Sequence, residues 1–301
     1  MDYLSTSETS KKWGISDRTV RRYCLSGKVK GAFLKDNKWH IPSIAQNPAK
    51  THGNKETNFP GTLLNALREE KSCNLKGGIY HKVQIALTYN SNHMEGSRLT
   101  EAETRFIYDD KLVIPESGTV RLNDILETVN HFECVDFVID HADDPLTEAF
   151  IKKMHSLLKE RTEDSKKPWF AVGDYKKFQN SIGDVVVTTP PKEVGKEMKN
   201  LLSRYNIESA HNLSDLLDFH VKFESIHPFQ DGNGRVGRLI LFKECLKNNI
   251  VPFIIEDDLK QFYYRGLREW NRERSFLTNT CLTAQDRFKQ YLNYFEIPYE
   301  G

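Results

Sequence analysis

Apolar residues recur every three or four positions over residues 58–95, 101–109, 121–160, 193–205, 213–226, 235–248, 257–274 and 282–295, the spacing of amphipathic helices. Within that set, Leu213 to His220 runs on through Phe223 to His227, with Ser214 placed to cap the helix start. Strand patterning is confined to two places. The run Ile182-Gly183-Asp184-Val185-Val186-Val187-Thr188-Thr189 is rich in β-branched residues and is stopped by Pro190-Pro191, which predicts a strand or hairpin. Lys28–Pro42 predicts a small β-wing turning at Asp36-Asn37. The fold class that follows is mainly α: a compact helical domain over residues 58–301 with one β-hairpin, preceded by a small module at 1–46.

That module has its own signals. Thr6 or Ser7 can cap a helix through Trp13, Gly14 allows a turn, and Ser16 can cap a second helix through about Cys24. This is helix-turn-helix spacing, with Arg18, Arg21 and Arg22 on or near the second helix. Together with the wing, the stretch resembles small winged helix-turn-helix modules of the excisionase or MerR kind found beside bacterial enzymes. Residues 1–50 hold ten Lys/Arg against four Asp/Glu, net +6, and the remainder is net −5. An anionic partner, DNA, is the functional reading of residues 1–46. A protein-docking or dimerising module with solvated charges is the alternative, and both stay open on sequence alone. Residues 47–57 are polar, lack apolar periodicity and read as a linker.

Composition narrows the class further. With 301 residues and 38% apolar content, the chain can bury a real core in a mid-sized domain beside a small one. The five cysteines, at 24, 73, 134, 245 and 281, form no close pair and no metal-spaced set, which fits reduced thiols in a cytoplasm. No run approaches eighteen apolar residues and no secretory core opens the chain, so no membrane association is expected. His220 lies seven residues before His227, but without a ligand set nearby it does not read as zinc-binding.

The densest chemistry is His227-Pro228-Phe229-Gln230-Asp231-Gly232-Asn233-Gly234-Arg235-Val236-Gly237-Arg238. Gly232, Asn233 and Gly234 can adopt the tight backbone that points successive N–H groups at one spot. Leu239, Phe242 and Leu246 then follow at helical spacing, so the turn opens a helix, and a glycine turn at a helix N-terminus is an anion site. Arg235 and Arg238, three apart, offer planar forks to phosphate. Asp231 supplies a hard oxygen for Mg²⁺, and His227 a general base for an incoming hydroxyl. Each feature alone is usually structural; all of them within twelve residues describe a triphosphate-handling site.

This segment resembles the Fic-domain signature HPFx[DE]GNGRxxR at every fixed position, and the resemblance covers roughly residues 58–295. It implies a helical Fic core with a hairpin flap, ATP as substrate and Mg²⁺ as cofactor. His227 is then the base, Asp231 the metal ligand, and Gly232 to Gly234 the phosphate cradle, with Phe229 beside the nucleotide. Asn233 orients the α-phosphate, Arg235 binds β-side oxygens and Arg238 clamps the γ-phosphate. Relatives that replace the second loop glycine phosphorylate their targets; Gly234 is intact, which favours nucleotidyl transfer. The flap, with Val187 and Thr188, covers the nucleotide and aligns a target segment by strand addition. Tyr263, Tyr264 and Asn271 resemble the aromatics and amide lining the far side of the pocket.

Far upstream, Val83–Gly96 reads as a helix with Gly96 at its C-cap, and Ser91 and Glu95, at i and i+4, share a face. The stretch resembles the Fic inhibitory motif [ST]xxxE[GN] in its form N-terminal to the core. By that resemblance Glu95 pairs with Arg238 in the place of the γ-phosphate. The expected function is an autoinhibited protein adenylyltransferase acting on a Ser, Thr or Tyr hydroxyl of a target protein and on itself, with AMP removal a second role for Glu95. The alternative is a DNA-binding regulator whose Fic domain senses nucleotide. Homo-oligomerisation stays open.

Overall fold

A computed structural model describes residues 2–25, 27–35, 38–48, 62–115, 118–182 and 186–299, with no account of the side chains of 182, 186 and 187. The chain divides into two compact units, one of residues 1–61 with 65–81, the other of 62–64 with 82–301. The expected boundary at 58 therefore differs from the observed partition, which gives residues 65–81 to the N-terminal unit.

In that unit, β1 (Tyr3–Leu4) precedes α1 (Thr6–Trp13) and α2 (Asp17–Leu25), and β2 (Phe33–Lys35) and β3 (Lys38–Pro42) complete an antiparallel sheet of order β1-β3-β2. The cap of α1 is Ser5, one residue before the two expected. Its hydroxyl accepts the Glu8 N–H while the Glu8 carboxylate accepts the Ser5 N–H, a reciprocal pair that neither Thr6 nor Ser7 could form with an acid three residues on. Gly14 ends the helix at φ +70°, and Ser16 accepts the Thr19 N–H at the start of α2 as expected. Trp13, Val20, Cys24, Val29 and Ile41 form the core. The wing's expected turn at Asp36-Asn37 and most of the linker, 49–57, lie outside the described residues; the strands flanking that turn pair Phe33 with His40 and Lys35 with Lys38. Helix α3 (Leu63–Ser72) brings acid to this unit: Glu69 lies 3.6 Å from Arg22 and 3.8 Å from Lys28, and Glu70 3.9 Å from Arg18. These pairs give a physical reason for the shifted boundary.

The expected helix over 58–95 is thus two, α3 and α4 (Ile79–Met94), because Asn74 and Gly77 take φ of +53° and +74° between them. The single run at 121–160 is likewise α6 (Leu122–Asp140) and α7 (Glu148–Lys159), the latter capped by Thr147 on the Phe150 N–H. Completing the larger unit are α5 (Glu101–Asp110), α8 (Pro191–Tyr205), α9 (Leu213–Ile226), α10 (Asn233–Lys247), α11 (Lys260–Glu269) and α12 (Ser275–Tyr294). Helix α12 begins seven residues before its predicted start. Asn212 caps α9 by exchanging hydrogen bonds with Asp215, so Ser214 falls inside the helix.

Helix α10 is the central element, buried on all sides against α6, α7 and α9. Even its Lys243 and Glu244 are enclosed, paired with each other and satisfied by the Asp144 carbonyl and the Tyr205 hydroxyl. The hairpin predicted near 182–189 is present as β4 (Ser181–Ile182) paired with β5 (Val186–Val187), its tip at 183–185 outside the described residues. Among the described residues, no helix is long and apolar enough to cross a membrane.

Candidate active site

The end of α9 delivers His227. Its N–H still bonds to Phe223 O at 3.0 Å, but its φ of +52° bends the chain sharply away, a left-handed conformation that a non-glycine residue adopts at some strain. The ring Nδ1 lies 3.3 Å from the Glu224 carbonyl, which can only accept, so Nδ1 carries the proton and Nε2 keeps its lone pair. Burial lowers the affinity of the ring for a second proton, and Lys176 works in the same direction. The result is a neutral, oriented base.

The loop beyond it is held by side chains. Asn233 clasps the Phe229 backbone at both ends, accepting its N–H at 2.7 Å and donating to its carbonyl at 2.8 Å. The Phe229 ring is fully buried and stacked on His155, with centroids 3.9 Å apart and planes 5° from parallel. His155 accepts the Gly173 N–H at Nδ1, so its Nε2–H donates to the Asp231 carbonyl at 3.2 Å. Where a place beside the nucleotide was expected for both, the Phe229 ring is a core anchor and the Asn233 amide shapes the loop. Gly232, at φ +83°, turns the chain into α10.

Two cations organise the carboxylates. Arg235 is buried, with its fork on Glu127 at 2.5 Å and Asp231 at 3.2 Å, so it braces Asp231 where β-phosphate contact was expected. The fully buried Lys159 ammonium meets Glu127, Asp164 and Asp231, each at 2.7 Å. Desolvation opposes the charge on Asp231, yet Arg235 and Lys159 outweigh it and hold its carboxyl well below the ordinary range. Asp231 Oδ2 takes both cations while the side chain stays half exposed. One carboxylate with an open side suits Mg²⁺ that arrives with phosphates. Glu127, Asp164 and Asp231 do place oxygens within 4.8 Å of one another, but Lys159 bonds to all three.

Arg238 meets the end of α4, the contact that the resemblance implies. Its Nε donates to Ser91 Oγ at 3.0 Å, and its Nη2 to Ser91 O at 3.0 Å and to Glu95 Oε1 at 2.7 Å. Gly96, at φ +92°, turns the chain out of the helix. The same Glu95 oxygen lies over the glycine turn, because a Cβ on Gly234 would stand 2.3 Å from it. A carboxylate therefore lies against the N-terminal turn of α10, where negative charge is favoured.

The other predicted residues divide. The Thr188 hydroxyl is buried at the flap base, bonded to Asn180 and to Lys176 Nζ, so it anchors the hairpin. Val187 lies in β5, its side chain outside the described set. Tyr263 is enclosed in the core, its hydroxyl 2.6 Å from His220 Nε2, which makes it a packing residue and gives His220 a structural partner. Tyr264 is half buried with its hydroxyl 3.5 Å from the Met94 carbonyl, and Asn271 is exposed just beyond α11. Sequence reasoning missed Glu127, His155, Lys159, Asp164, Lys176 and the buried Glu224, whose carboxyl burial pushes up to about 8. His155 and Lys159 share a face of α7 and Glu224 lies one turn before His227, but only helix packing brings Glu127 and α7 to the catalytic loop.

Residues 145–244 match the model of the Fic/DOC family. A protein adenylyltransferase Fic of Nematostella vectensis is 28% identical over 187 residues, 61% of this chain and 42% of that protein. The Drosophila mojavensis protein of the same name is 24% identical over 269 residues, 79% of this chain and 51% of its own length. The chain thus spans about half, or less, of these curated relatives. A Fic domain containing signaling protein from Bacteroides thetaiotaomicron shares the fold, with a TM-score of 0.62 at 23% identity over 79% of this chain and 99% of that one.

Proposed function

The chain carries a Fic domain, and from that premise we propose that it is an autoinhibited protein adenylyltransferase, moving AMP from ATP to a hydroxyl side chain of a target protein and of itself. The observation that carries this reading is the neutral His227 with a bare Nε2 beside a glycine turn at a helix N-terminus. In the transfer, the target hydroxyl oxygen bonds to the α-phosphorus as the bond to the β-phosphate oxygen breaks. Pyrophosphate leaves, and Nε2 takes the hydroxyl proton. Mg²⁺, where bound through the open side of Asp231, would neutralise phosphate charge. The resting state is braked: Glu95 covers the turn and ties up Arg238, so ATP must displace a bidentate-capable partner before its γ-phosphate can seat. In AMP removal, water would attack the phosphorus of the AMP-modified target as its bond to the target oxygen breaks, returning the hydroxyl and AMP, and Glu95 is the carboxylate proposed to orient that water.

Mass spectrometry of the purified Glu95→Gly chain, whose brake is removed, before and after incubation with ATP and Mg²⁺, tests the reading; an added AMP supports it and an unchanged mass with no pyrophosphate release refutes it. The alternative of a DNA-binding nucleotide sensor draws on the N-terminal unit, where 14 Lys/Arg stand against 7 Asp/Glu, net +7. Arg18, Arg22 and Lys28 there lie close to α3 acids, which leaves that reading to Arg21 and the wing lysines. A sensor would bind ATP without releasing pyrophosphate.

A further inference from the structure

Lys159 is the least expected group in the site. An ammonium has three N–H donors, and here each has a carboxylate at 2.7 Å: Glu127 from α6, Asp231 from the catalytic loop, and Asp164 from the turn after α7. Its own side chain is fully enclosed, and Glu127 and Asp164 are mostly so, at 15% and 20% exposure. Enclosing an ammonium is costly unless its partners compensate it, and these do so completely. Without the lysine, three carboxylate oxygens within 4.8 Å of one another would need only small shifts to ligate a divalent ion, whose oxygen ligands stand about 2.0–2.6 Å from the metal. Arg235, on Glu127 and Asp231, and Lys167, 2.6 Å from Asp164, would then be the remaining cations beside three anionic groups.

We propose that Lys159 is a fixed, chain-borne cation that fills the centre of this cage and makes metal binding conditional on nucleotide. It uses up Glu127 and Asp164, which would otherwise complete a protein-only divalent site, and leaves Asp231 as a lone ligand too weak to hold a metal without phosphates. Lys159 is therefore a positioning residue: it touches no reacting atom but decides when Asp231 can take a metal. The inference rests on the adenylyltransferase reading for its purpose, though its test does not use transfer.

The test is Mn²⁺ titration of the full chain without nucleotide, read as loss of the free-ion paramagnetic resonance signal. The wild-type chain is expected to leave Mn²⁺ free. Lys159→Met should take up about one ion with at least tenfold tighter affinity, and adding Glu127→Gln and Asp164→Asn should abolish the uptake. Equal binding by wild type and Lys159→Met, or no uptake by a folded Lys159→Met chain, overturns the proposal. Should Lys159→Met be unfolded alone, millimolar Mn²⁺ should restore its cooperative melt; a chain that stays unfolded also overturns it. Because no ATP is present, a failed transfer assay elsewhere would leave this result standing, and the reverse holds too.

Discussion

The two units of this chain handle charge in opposite ways. In the N-terminal unit, net +7, the ion pairs of Arg18, Arg22 and Lys28 with α3 span 3.6–3.9 Å, and their cations are 26–49% exposed. In the larger unit, net −6 by 29 Lys/Arg against 35 Asp/Glu, Arg238 and Lys159 are 7% and 0% exposed and reach their carboxylates at 2.7 Å. Exposed pairs at such lengths contribute about 0–1 kcal/mol each. Enclosed ones recover a large desolvation cost only through close geometry, and removing one partner is severe. The lesson is that the larger unit commits enclosed cations to specific carboxylates, whereas the smaller keeps these cations near water and encloses only the Glu70 carboxylate, which also accepts the Tyr80 N–H at 2.9 Å.

The comparison breaks most sharply at His227. His227→Ala should lower transfer by about 10²–10⁴-fold while nucleotide affinity holds, since the glycine turn is untouched; equal loss of ATP binding, by calorimetry, would assign the imidazole a structural role. Next in size is acid sensitivity. Burial pushes His131 and His220 down to about 3, so the unfolded chain takes up protons there that the native state refuses. Their stabilisation is complete above pH 6.5 and fades as pH falls, by about 1.4 kcal/mol per unit for each ring. Glu224, raised to about 8, runs the other way, its contribution full below pH 4.5 and fading as pH rises. The histidines dominate below pH 6.5, so urea midpoints should drop from pH 6.5 to 4; a flat or rising series contradicts the buried neutral rings.

Smaller again, Glu95→Gly should raise AMP incorporation about tenfold or more, a coupling of at least ~1.4 kcal/mol between brake and nucleotide. Labelling with α-phosphate-tagged ATP reads it, and equal incorporation by both forms removes the brake from the account. Last, Arg22→Ala should shift the unfolding free energy by less than about 1 kcal/mol. A larger loss would mean that the N-terminal unit leans on its ion pairs after all.

What the sequence disclosed follows from contiguity. His227, Asp231, the glycine turn and Arg238 sit on one loop and the first turns of one helix, so their convergence needs no knowledge of packing. The Ser91–Glu95 pair was legible because i and i+4 share a helix face. Lys159 and Asp164, at the end of α7 and in the turn after it, meet Glu127 of α6 and Asp231 only once α6 and α7 close on α10, which no periodicity encodes. Phe229, Thr188 and Tyr263 fall in the right neighbourhood, but whether a side chain faces ligand or core depends on neighbours such as His155, Lys176 and His220. The break within 58–95 turned on Asn74 accepting a backbone form usually left to glycine.

The seat of the Glu95 oxygen against Gly234 sets the style of regulation open to this chain. On the proposed reading, inhibitor and substrate would contest one volume, so the restraint would be competitive: rising nucleotide would erode it smoothly, provided that Glu95 can swing off Arg238. A partner that wished to tighten or relax the throttle would need only to nudge the last turn of a single helix.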